Sequence, residues 1–185
     1  MNTLAEIYAR HLGSDKGTTH SYIEVYEKLL EPWRELPLRM LEIGLYNGDS
    51  LRMWEEYFTH GEVWGIDRAL RPDKETDLRP MIAEGGHHIA ILDATDRTAV
   101  AREFGRAEFD IVIEDASHRL EDTLQIYANF HSRFLPTLYI VEDIQNIDRD
   151  YETLLRMDPY RRVRILDRRG LKGRYDDVLV ILDHE

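Results

Sequence analysis

The chain has 185 residues, and its 43% hydrophobic and 10% aromatic content is typical of a globular protein with one core rather than of a disordered chain. Its formal net charge of -12 argues against a general nucleic-acid-binding function, because such proteins contact phosphates with lysine and arginine. The absence of cysteine excludes disulfides, thiolate nucleophiles and cysteine-bound zinc, so any metal would have oxygen or histidine ligands.

Neither a membrane span nor an export signal is predicted. No apolar run approaches the ~20 residues that cross a membrane, and the first residues, MNTLAEIYARHLGSDKG, lack the basic-then-apolar order of a signal peptide. We therefore expect a cytoplasmic protein with a single domain at residues 1–185. Residues 1–38 are expected to form one or two helices over the strand ends, with a loop in the turn-rich stretch GSDKGTTHSY.

Short apolar runs alternate with amphipathic segments along the rest of the chain. Five strands are predicted from these runs, at residues 39–43, 63–66, 88–92, 109–113 and 138–142. Apolar side chains at helical spacing predict a helix after the first strand; they are Leu51, Trp54, Tyr57 and Phe58. A second amphipathic helix is predicted around residues 120–130. Strands that are apolar on both faces and alternate with helices indicate an α/β fold with a parallel sheet covered on both sides.

The C-terminal part has a different pattern. Two further apolar runs, RVRIL and VLVIL, are joined by DRRGLKGRYDD, which we interpret as a connection without room for a helix. Strands joined in this way pair antiparallel. The sequence therefore predicts a mainly parallel, seven-stranded sheet with an antiparallel hairpin at its C-terminal end.

Glycines follow the first predicted strand, at the edge where open parallel sheets bind ligands. Gly44 and Gly48 would let a ligand approach the backbone closely. Ser50 is a candidate N-cap, and the amides beside it could bind a carboxylate or a phosphate. The spacing Gly44-x3-Gly48 lacks the middle glycine of the dinucleotide fingerprint, which weakens a nicotinamide-cofactor interpretation.

Acidic residues end the next two predicted strands. Asp67 follows Gly44 by 23 residues, the position from which an acid binds ribose hydroxyls in this architecture. Asp93, after the third strand, could accept a hydrogen bond from an adenine amino group. For each acid taken alone, a helix cap or a solvated strand end is the favoured interpretation. Together, at successive strand ends, they favour a nucleoside ligand.

Two acid pairs follow the fourth and fifth strands, in the segments FDIVIEDASH and YIVEDI. Glu114 and Asp115 cannot both point into one cleft, because side chains alternate across a strand. The fourth and fifth strands should be neighbours ~4.8 Å apart, so Asp115 can converge with Glu142, Asp143 or both. Carboxylates that converge in a partly buried site repel one another unless one is protonated or a cation lies between them. Magnesium is the natural candidate for that cation.

His118 lies three residues beyond Asp115, in the predicted turn before the next helix. There the imidazole could lie close to the metal and act as a base without binding the metal itself. The alternative is a structural role, in which His118 caps the helix or makes a local hydrogen bond.

The segments LEIGLYNGDSLRMW, GID, FDIVIEDASH and YIVEDI resemble, in this order, the metal-dependent sugar O-methyltransferases of the macrocin and mycinamicin type, within the class I S-adenosylmethionine methyltransferases. The N-terminal GSDKGTTHSYIEVYEKLL is similar to the lead-in of the same group. The likeness covers most of residues 11–146, and its Asp-x-Ser-His and Glu-Asp pieces are the most specific. The family commonly has Asp-Gly-Ser-His where this chain has Asp115-Ala116-Ser117-His118.

The resemblance implies a Rossmann-like class I methyltransferase fold, with S-adenosylmethionine and a magnesium ion or a similar divalent cation as cofactors. It implies that Asp115, Asp143 and Glu142 bind the metal and that His118 is the base. It implies cofactor contacts from Glu42, Gly44, Ser50, Asp67 and Asp93. In the lead-in, Tyr22 could close over the cofactor, although ordinary packing explains it equally well.

We therefore expect a magnesium-assisted, S-adenosylmethionine-dependent O-methyltransferase that acts on a sugar hydroxyl of a glycoside, polysaccharide or glycosylated natural product, as in natural product biosynthesis. One alternative keeps the chemistry and changes the acceptor to a catechol-like diol. Another is a non-catalytic binding subunit with a methyltransferase fold. Longer relatives carry extra segments around the substrate, so a homo-oligomer, such as a dimer, could complete the acceptor pocket.

A basic stretch lies near the C-terminus, between Arg161 and Arg174, with seven basic residues and one acid, Asp167. It could bind an anionic acceptor. The alternatives are a solvated hairpin and a contact between subunits.

Overall fold

The computed structural model describes residues 1–69, 78–105 and 107–183 and contains one seven-stranded sheet. Its strands are β1 (Arg39–Ile43), β2 (Glu62–Asp67), β3 (His88–Ile91), β4 (Ile111–Glu114), β5 (Leu138–Val141), β6 (Arg162–Asp167) and β7 (Val178–Asp183). The order across the sheet is β3-β2-β1-β4-β5-β7-β6. Strands β1 to β5 pair in parallel, whereas β7 is antiparallel to both β5 and β6. The predicted fold class is confirmed.

Helices cover both faces of this sheet. They are α1 (Leu4–Tyr8), α2 (Ile23–Leu30), α3 (Asp49–Tyr57), α4 (Arg79–Glu84), α5 (Arg97–Phe104), α6 (Leu120–Phe134), α7 (Ile147–Leu155) and α8 (Arg169–Lys172). On one face α1, α2 and α3 share a hydrophobic core with the sheet, and on the other α5, α6 and α7 do. Successive residues of β1 pack into the two cores in turn, as the two-residue period of a strand requires. Met40 lies in the first core and Leu41 in the second.

The apolar face predicted for α3 fixes how this helix lies on the sheet. All four of its predicted contact residues are buried to within 1% of full burial: Leu51, Trp54, Tyr57 and Phe58. Burial of such side chains stabilises the packed helix by roughly 1.5–3 kcal/mol each. The start of α3 is thereby held beside the carboxyl end of β1, where the loop after β1 enters the helix.

The longest described helix is α6, with 15 residues. Among the helices of the described residues, none combines the length and the hydropathy that a membrane crossing requires.

The connection between β6 and β7 differs from the prediction. The antiparallel pairing of the two strands is confirmed, but the connection that was expected to lack a helix contains α8. A single helical turn needs only four residues, and Gly173 ends it in a left-handed conformation with φ of 70°. The prediction was wrong because it considered only helices long enough to show a periodic pattern.

Candidate active site

Two adjoining cavities lie at the carboxyl ends of the central strands. Their volumes are about 650 and 170 Å³, and both have Gly44, Asp67 and Ala116 in their walls. The carboxyl edge of the parallel strands is where an α/β sheet of this kind binds its ligand. The two cavities therefore form one cleft with a smaller and a larger compartment.

The smaller compartment combines apolar walls with acidic ends. Ile66, Leu92 and Ile126 contribute apolar surface, while Asp67 and Asp93 contribute carboxylates. The Asp93 carboxylate accepts hydrogen bonds from the Thr95 hydroxyl at 2.7 Å and the Thr95 amide at 2.9 Å, and these bonds lower the pKa of Asp93. A flat aromatic ring with polar edges suits such walls.

The loop after β1 is fixed by Asp67 and by Gly44. The Asp67 carboxylate accepts hydrogen bonds from the amides of Leu45 and Tyr46, at 3.0 and 3.3 Å. Gly44 has φ of 95°, and a Cβ at this position would lie 1.9 Å from the backbone oxygen of Asp115. Only glycine fits there, because the ends of β1 and β4 touch through their backbones.

Ser50 does not have its predicted capping role. Helix α3 begins at Asp49 with Gly48 as its N-cap, so Ser50 lies inside the first turn. Its hydroxyl donates to Glu42 at 2.9 Å, and the Trp54 indole donates to the same carboxylate at 3.3 Å. The capping prediction was wrong because Gly48, in a left-handed conformation, starts the helix earlier and leaves the serine hydroxyl for a buried acid.

The structure brings the acids after β4 and β5 together. The ligand atoms of Asp115, His118 and Asp143 all lie within 4.8 Å of one another, a geometry that could hold a metal ion. His118 and Asp143 both have left-handed backbones, with φ of 57° and 56°. These two sharp turns direct their side chains toward Asp115.

Glu142, the third predicted metal ligand, lies outside this group of three. It is 2% exposed, and its carboxylate accepts a hydrogen bond from the Tyr26 hydroxyl at 2.5 Å. Together with Glu42, Asp115 and Asp143 it forms what we call the acid cluster. Burial, and then the nearby Asp115 carboxylate, raises the pKa of Asp143 to about 8.

A buried lysine that no sequence pattern indicated, Lys16, lies within the acid cluster. The Lys16 ammonium lies 2.7 Å from Asp115, 2.9 Å from Glu142 and 3.4 Å from Glu42. Burial alone would lower the pKa of Lys16, but the attraction of these three carboxylates outweighs it and raises the pKa well above its usual value. The sequence pointed to Lys16 only indirectly, because carboxylates that are predicted to converge require a cation between them.

Tyr22 packs against the acid cluster, and its predicted contact with the cofactor stays a prediction. Its side chain is fully buried, and its hydroxyl donates to Asp143 at 2.8 Å. It therefore contacts the acid cluster from the side of the N-terminal helices.

The basic stretch near the C-terminus is largely engaged by the protein itself. Arg169 forms ion pairs with Asp148 and Asp167, at 3.0 and 2.7 Å. Lys172 donates to the carbonyl oxygens of Thr18 and His20, at 3.1 and 2.7 Å. This second contact ties α8 to the loop that carries Lys16.

Glu114 points away from the acid cluster, as the strand alternation requires. It is 1% exposed, accepts a hydrogen bond from the Ala116 amide at 3.4 Å, and has a second carboxylate oxygen without a partner among the described residues. Burial raises the pKa of Glu114 from 4.5 to about 7. Between pH 4.5 and about 7, Glu114 is therefore protonated in the folded protein and ionised in the unfolded chain.

We expect Glu114→Gln to stabilise the protein above pH 7 and to have little effect near pH 4.5. Between these values the wild-type free energy of unfolding falls as pH rises, by about 3 kcal/mol from this group, because the unfolded state binds fewer protons. Glutamine has the shape of the protonated acid and cannot ionise. Urea unfolding of both proteins from pH 4.5 to 8.5 tests this, and a constant difference across the series would contradict it.

Comparison with known proteins gives relatives by sequence. No family model matches the chain. It is 35% identical over 152 residues, 77% of its length, to an 8-demethyl-8-alpha-L-rhamnosyl tetracenomycin-C 2'-O-methyltransferase of Streptomyces olivaceus. It is 30% identical over 76% of its length to both a mycinamicin VI 2''-O-methyltransferase of Micromonospora griseorubida and a demethylmacrocin O-methyltransferase of Streptomyces fradiae. The matches span only 38%, 36% and 36% of those relatives.

Solved structures share the fold. The MycE methyltransferase from the mycinamycin biosynthetic pathway, in complex with Mg, SAH and mycinamycin VI, matches with a TM-score of 0.73 and 22% identity, over 98% of this chain and 54% of that one. The SAH-bound Podospora anserina methyltransferase PaMTH1 matches with a TM-score of 0.65 and 15% identity, over 100% of this chain and 88% of that one. At such identities the likeness establishes the architecture.

Proposed function

We propose that this chain, a homologue of the macrocin- and mycinamicin-type sugar O-methyltransferases with a class I methyltransferase fold, transfers a methyl group from S-adenosylmethionine to a sugar hydroxyl with the help of magnesium. The family resemblance found in the sequence motifs is confirmed by these relatives. The acceptor would be a glycoside, a polysaccharide or a glycosylated natural product. The observation that carries the proposal is the meeting of Asp115, His118 and Asp143 at one side of a nucleoside-sized cleft.

The smaller compartment suits the adenosine part of S-adenosylmethionine. Asp93 would accept from the adenine amino group, and Asp67, whose carboxylate retains unused lone pairs, would accept from the ribose hydroxyls. Gly44 would let the cofactor lie against the backbone. Glu42 has no exposed surface and accepts a hydrogen bond from Ser50. The two residues would therefore support the cofactor site from below the floor of the cleft.

The residues of the larger compartment suit a magnesium ion. Mg²⁺ prefers carboxylate oxygens and keeps several waters, and Asp115 and Asp143 offer two such carboxylates at one point. The Glu142 carboxylate accepts hydrogen bonds from Lys16 and Tyr26, which occupy lone pairs that a metal would need. Its role as a metal ligand stays a prediction. When bound, magnesium would stabilise the negative charge that develops on the acceptor oxygen.

His118 is the residue we assign as the general base. It lies in the wall of the larger compartment, and its Nδ1 has no hydrogen-bond partner among the described residues. Its Nε2 lies 3.9 Å from the Asp115 carboxylate, which can stabilise the imidazolium that forms. His118 would take the proton of the acceptor hydroxyl while the methyl group passes to the oxygen and the sulfur retains the bonding electron pair.

The purified chain should methylate a glycoside when S-adenosylmethionine and Mg²⁺ are both present. We expect an L-rhamnosyl glycoside to gain about 14 Da by mass spectrometry and to gain nothing when a chelator replaces Mg²⁺. A catechol-like acceptor serves as the comparison, because preferential methylation of it would favour the alternative acceptor class. Absence of heat on titration with S-adenosylmethionine would refute the methyltransferase assignment and favour a binding subunit.

Other predictions concern the organisation of the whole protein. We propose that residues 1–185 form one domain, in which residues 1–38 lie over the cofactor site; the shared core of α1, α2 and α3 supports this. A cytoplasmic homodimer that completes the acceptor pocket stays a prediction.

A further inference from the structure

Lys16 is the cation that the acid cluster already contains. Its side chain is 1% exposed, and its ammonium group donates hydrogen bonds to the carboxylates of Asp115 and Glu142 and forms an ion pair with Glu42 at 3.4 Å. These acids come from β1, from the end of β4 and from the end of β5. One lysine thus connects three strand ends.

The contact divides the two oxygens of Asp115 between different partners. Oδ2 accepts from Lys16 at 2.7 Å, whereas Oδ1 lies 3.9 Å from Nε2 of His118. Lys16 therefore binds the buried side of the carboxylate and leaves the other oxygen toward His118. A carboxylate held in this way has its rotation fixed before a metal arrives.

One positive charge is too little for the whole acid cluster. Even with Asp143 protonated, Glu42, Asp115 and Glu142 carry three negative charges when ionised, and Lys16 leaves two of them uncompensated. Like charges at these separations repel by several kcal/mol in a low-dielectric interior. Lys16 thus holds the acids together, and the negative charge that remains still attracts a divalent cation.

The loop that carries Lys16 is itself anchored. The Tyr8 hydroxyl donates to the carbonyl oxygen of Ser14 at 2.9 Å, and the Gly13 amide donates to Asp49 at 2.8 Å. On the other side of Lys16, Lys172 binds the carbonyl oxygens of Thr18 and His20. The ammonium group is therefore held in place rather than free to leave the acids.

We propose that Lys16 is a positioning residue that shares the neutralisation of the acid cluster with the divalent metal and holds Asp115 and Glu142 in place when the metal is absent. This inference rests on the proposed metal site. Lys16 and the metal then each neutralise part of the acid cluster. Removal of the lysine charge should therefore destabilise the metal-free protein more than the Mg²⁺-bound protein. A lysine with a purely structural role would be needed equally with and without metal.

The test compares Lys16→Met and Lys16→Arg with wild type, with Lys28→Met as the control for an exposed lysine on α2. Thermal unfolding is followed in chelator and in saturating Mg²⁺, and Mg²⁺ binding is measured by calorimetry. We expect Lys16→Met to lower the Tm by about 10 °C in chelator, and by at most about half as much in Mg²⁺. It should bind Mg²⁺ at least about tenfold more tightly than wild type. Lys16→Arg and Lys28→Met should stay close to wild type.

Each other result overturns the inference. Equal loss of Tm in chelator and in Mg²⁺, with unchanged or weaker Mg²⁺ binding, would make Lys16 structural only. If Lys16→Met does not fold in either condition, Lys16→Arg decides, and a similar loss there would show that charge is not what matters. Failure of the wild type to bind Mg²⁺ would remove the proposed metal site together with this inference, a result distinct from failure of the lysine variants alone.

Discussion

Replacement of His118 by asparagine is expected to lower kcat for methyl transfer by about 10²–10⁴-fold, the usual contribution of a general base. Binding of S-adenosylmethionine and of Mg²⁺ should change little. The reason is that His118 lies in the wall of the larger compartment with Nδ1 unpartnered, while the carboxylates assigned to the metal are separate residues. Initial rates at saturating acceptor give kcat, and calorimetry gives the two affinities.

Asparagine is a better test than alanine at this position. His118 has φ of 57°, a left-handed conformation that asparagine tolerates and alanine does not adopt readily. Alanine would combine the loss of the imidazole with strain in the turn before α6. His60→Asn, at a histidine whose side chain is 63% exposed, controls for the substitution itself. If His118→Asn retained more than about a tenth of the wild-type kcat, the proton would have to leave through another group.

The parts of the fold that follow from local patterns could be predicted from the sequence. The five parallel strands were placed within two residues at each end, because apolar runs and their period are properties of neighbouring residues. The convergence of Asp115 and Asp143 could also be anticipated. It needs only the rule that sequential strands of such a sheet end at one edge.

The contacts that assemble the site could not be predicted, because they join distant parts of the chain. Lys16 reaches acids that follow it by 99 and 126 positions, and nothing in its own neighbourhood distinguishes it from a loop lysine. The Tyr22 hydroxyl likewise donates to Asp143, 121 positions away. The prediction that Ser50 caps α3 was wrong for a different reason, because Gly48, two residues earlier, is the N-cap of this helix.

Asp143→Asn is expected to weaken Mg²⁺ binding by about 100-fold and to lower methyl transfer in proportion at limiting metal, because it removes a charged ligand. The substitution preserves the rest of the site. Asn tolerates the left-handed φ of 56° at this position, and its carbonyl oxygen can still accept the hydrogen bond from Tyr22. Asp148→Asn, at an aspartate whose side chain is 79% exposed, is the matched control and should bind Mg²⁺ as the wild type does.

The same variant should also remove a pH dependence. With the pKa of Asp143 raised to about 8 by burial and by Asp115, the metal-free wild type retains a proton there at pH 7 that Mg²⁺ must displace. Wild-type affinity should therefore rise about tenfold per pH unit from pH 6 to about 8 and level off above that. Calorimetry at pH 7 in buffers of different ionisation enthalpy should show about one proton released by wild type and almost none by Asp143→Asn. Equal proton release by both proteins would place the displaced proton on another carboxylate of the acid cluster, and Asp143 would then enter the metal site already ionised.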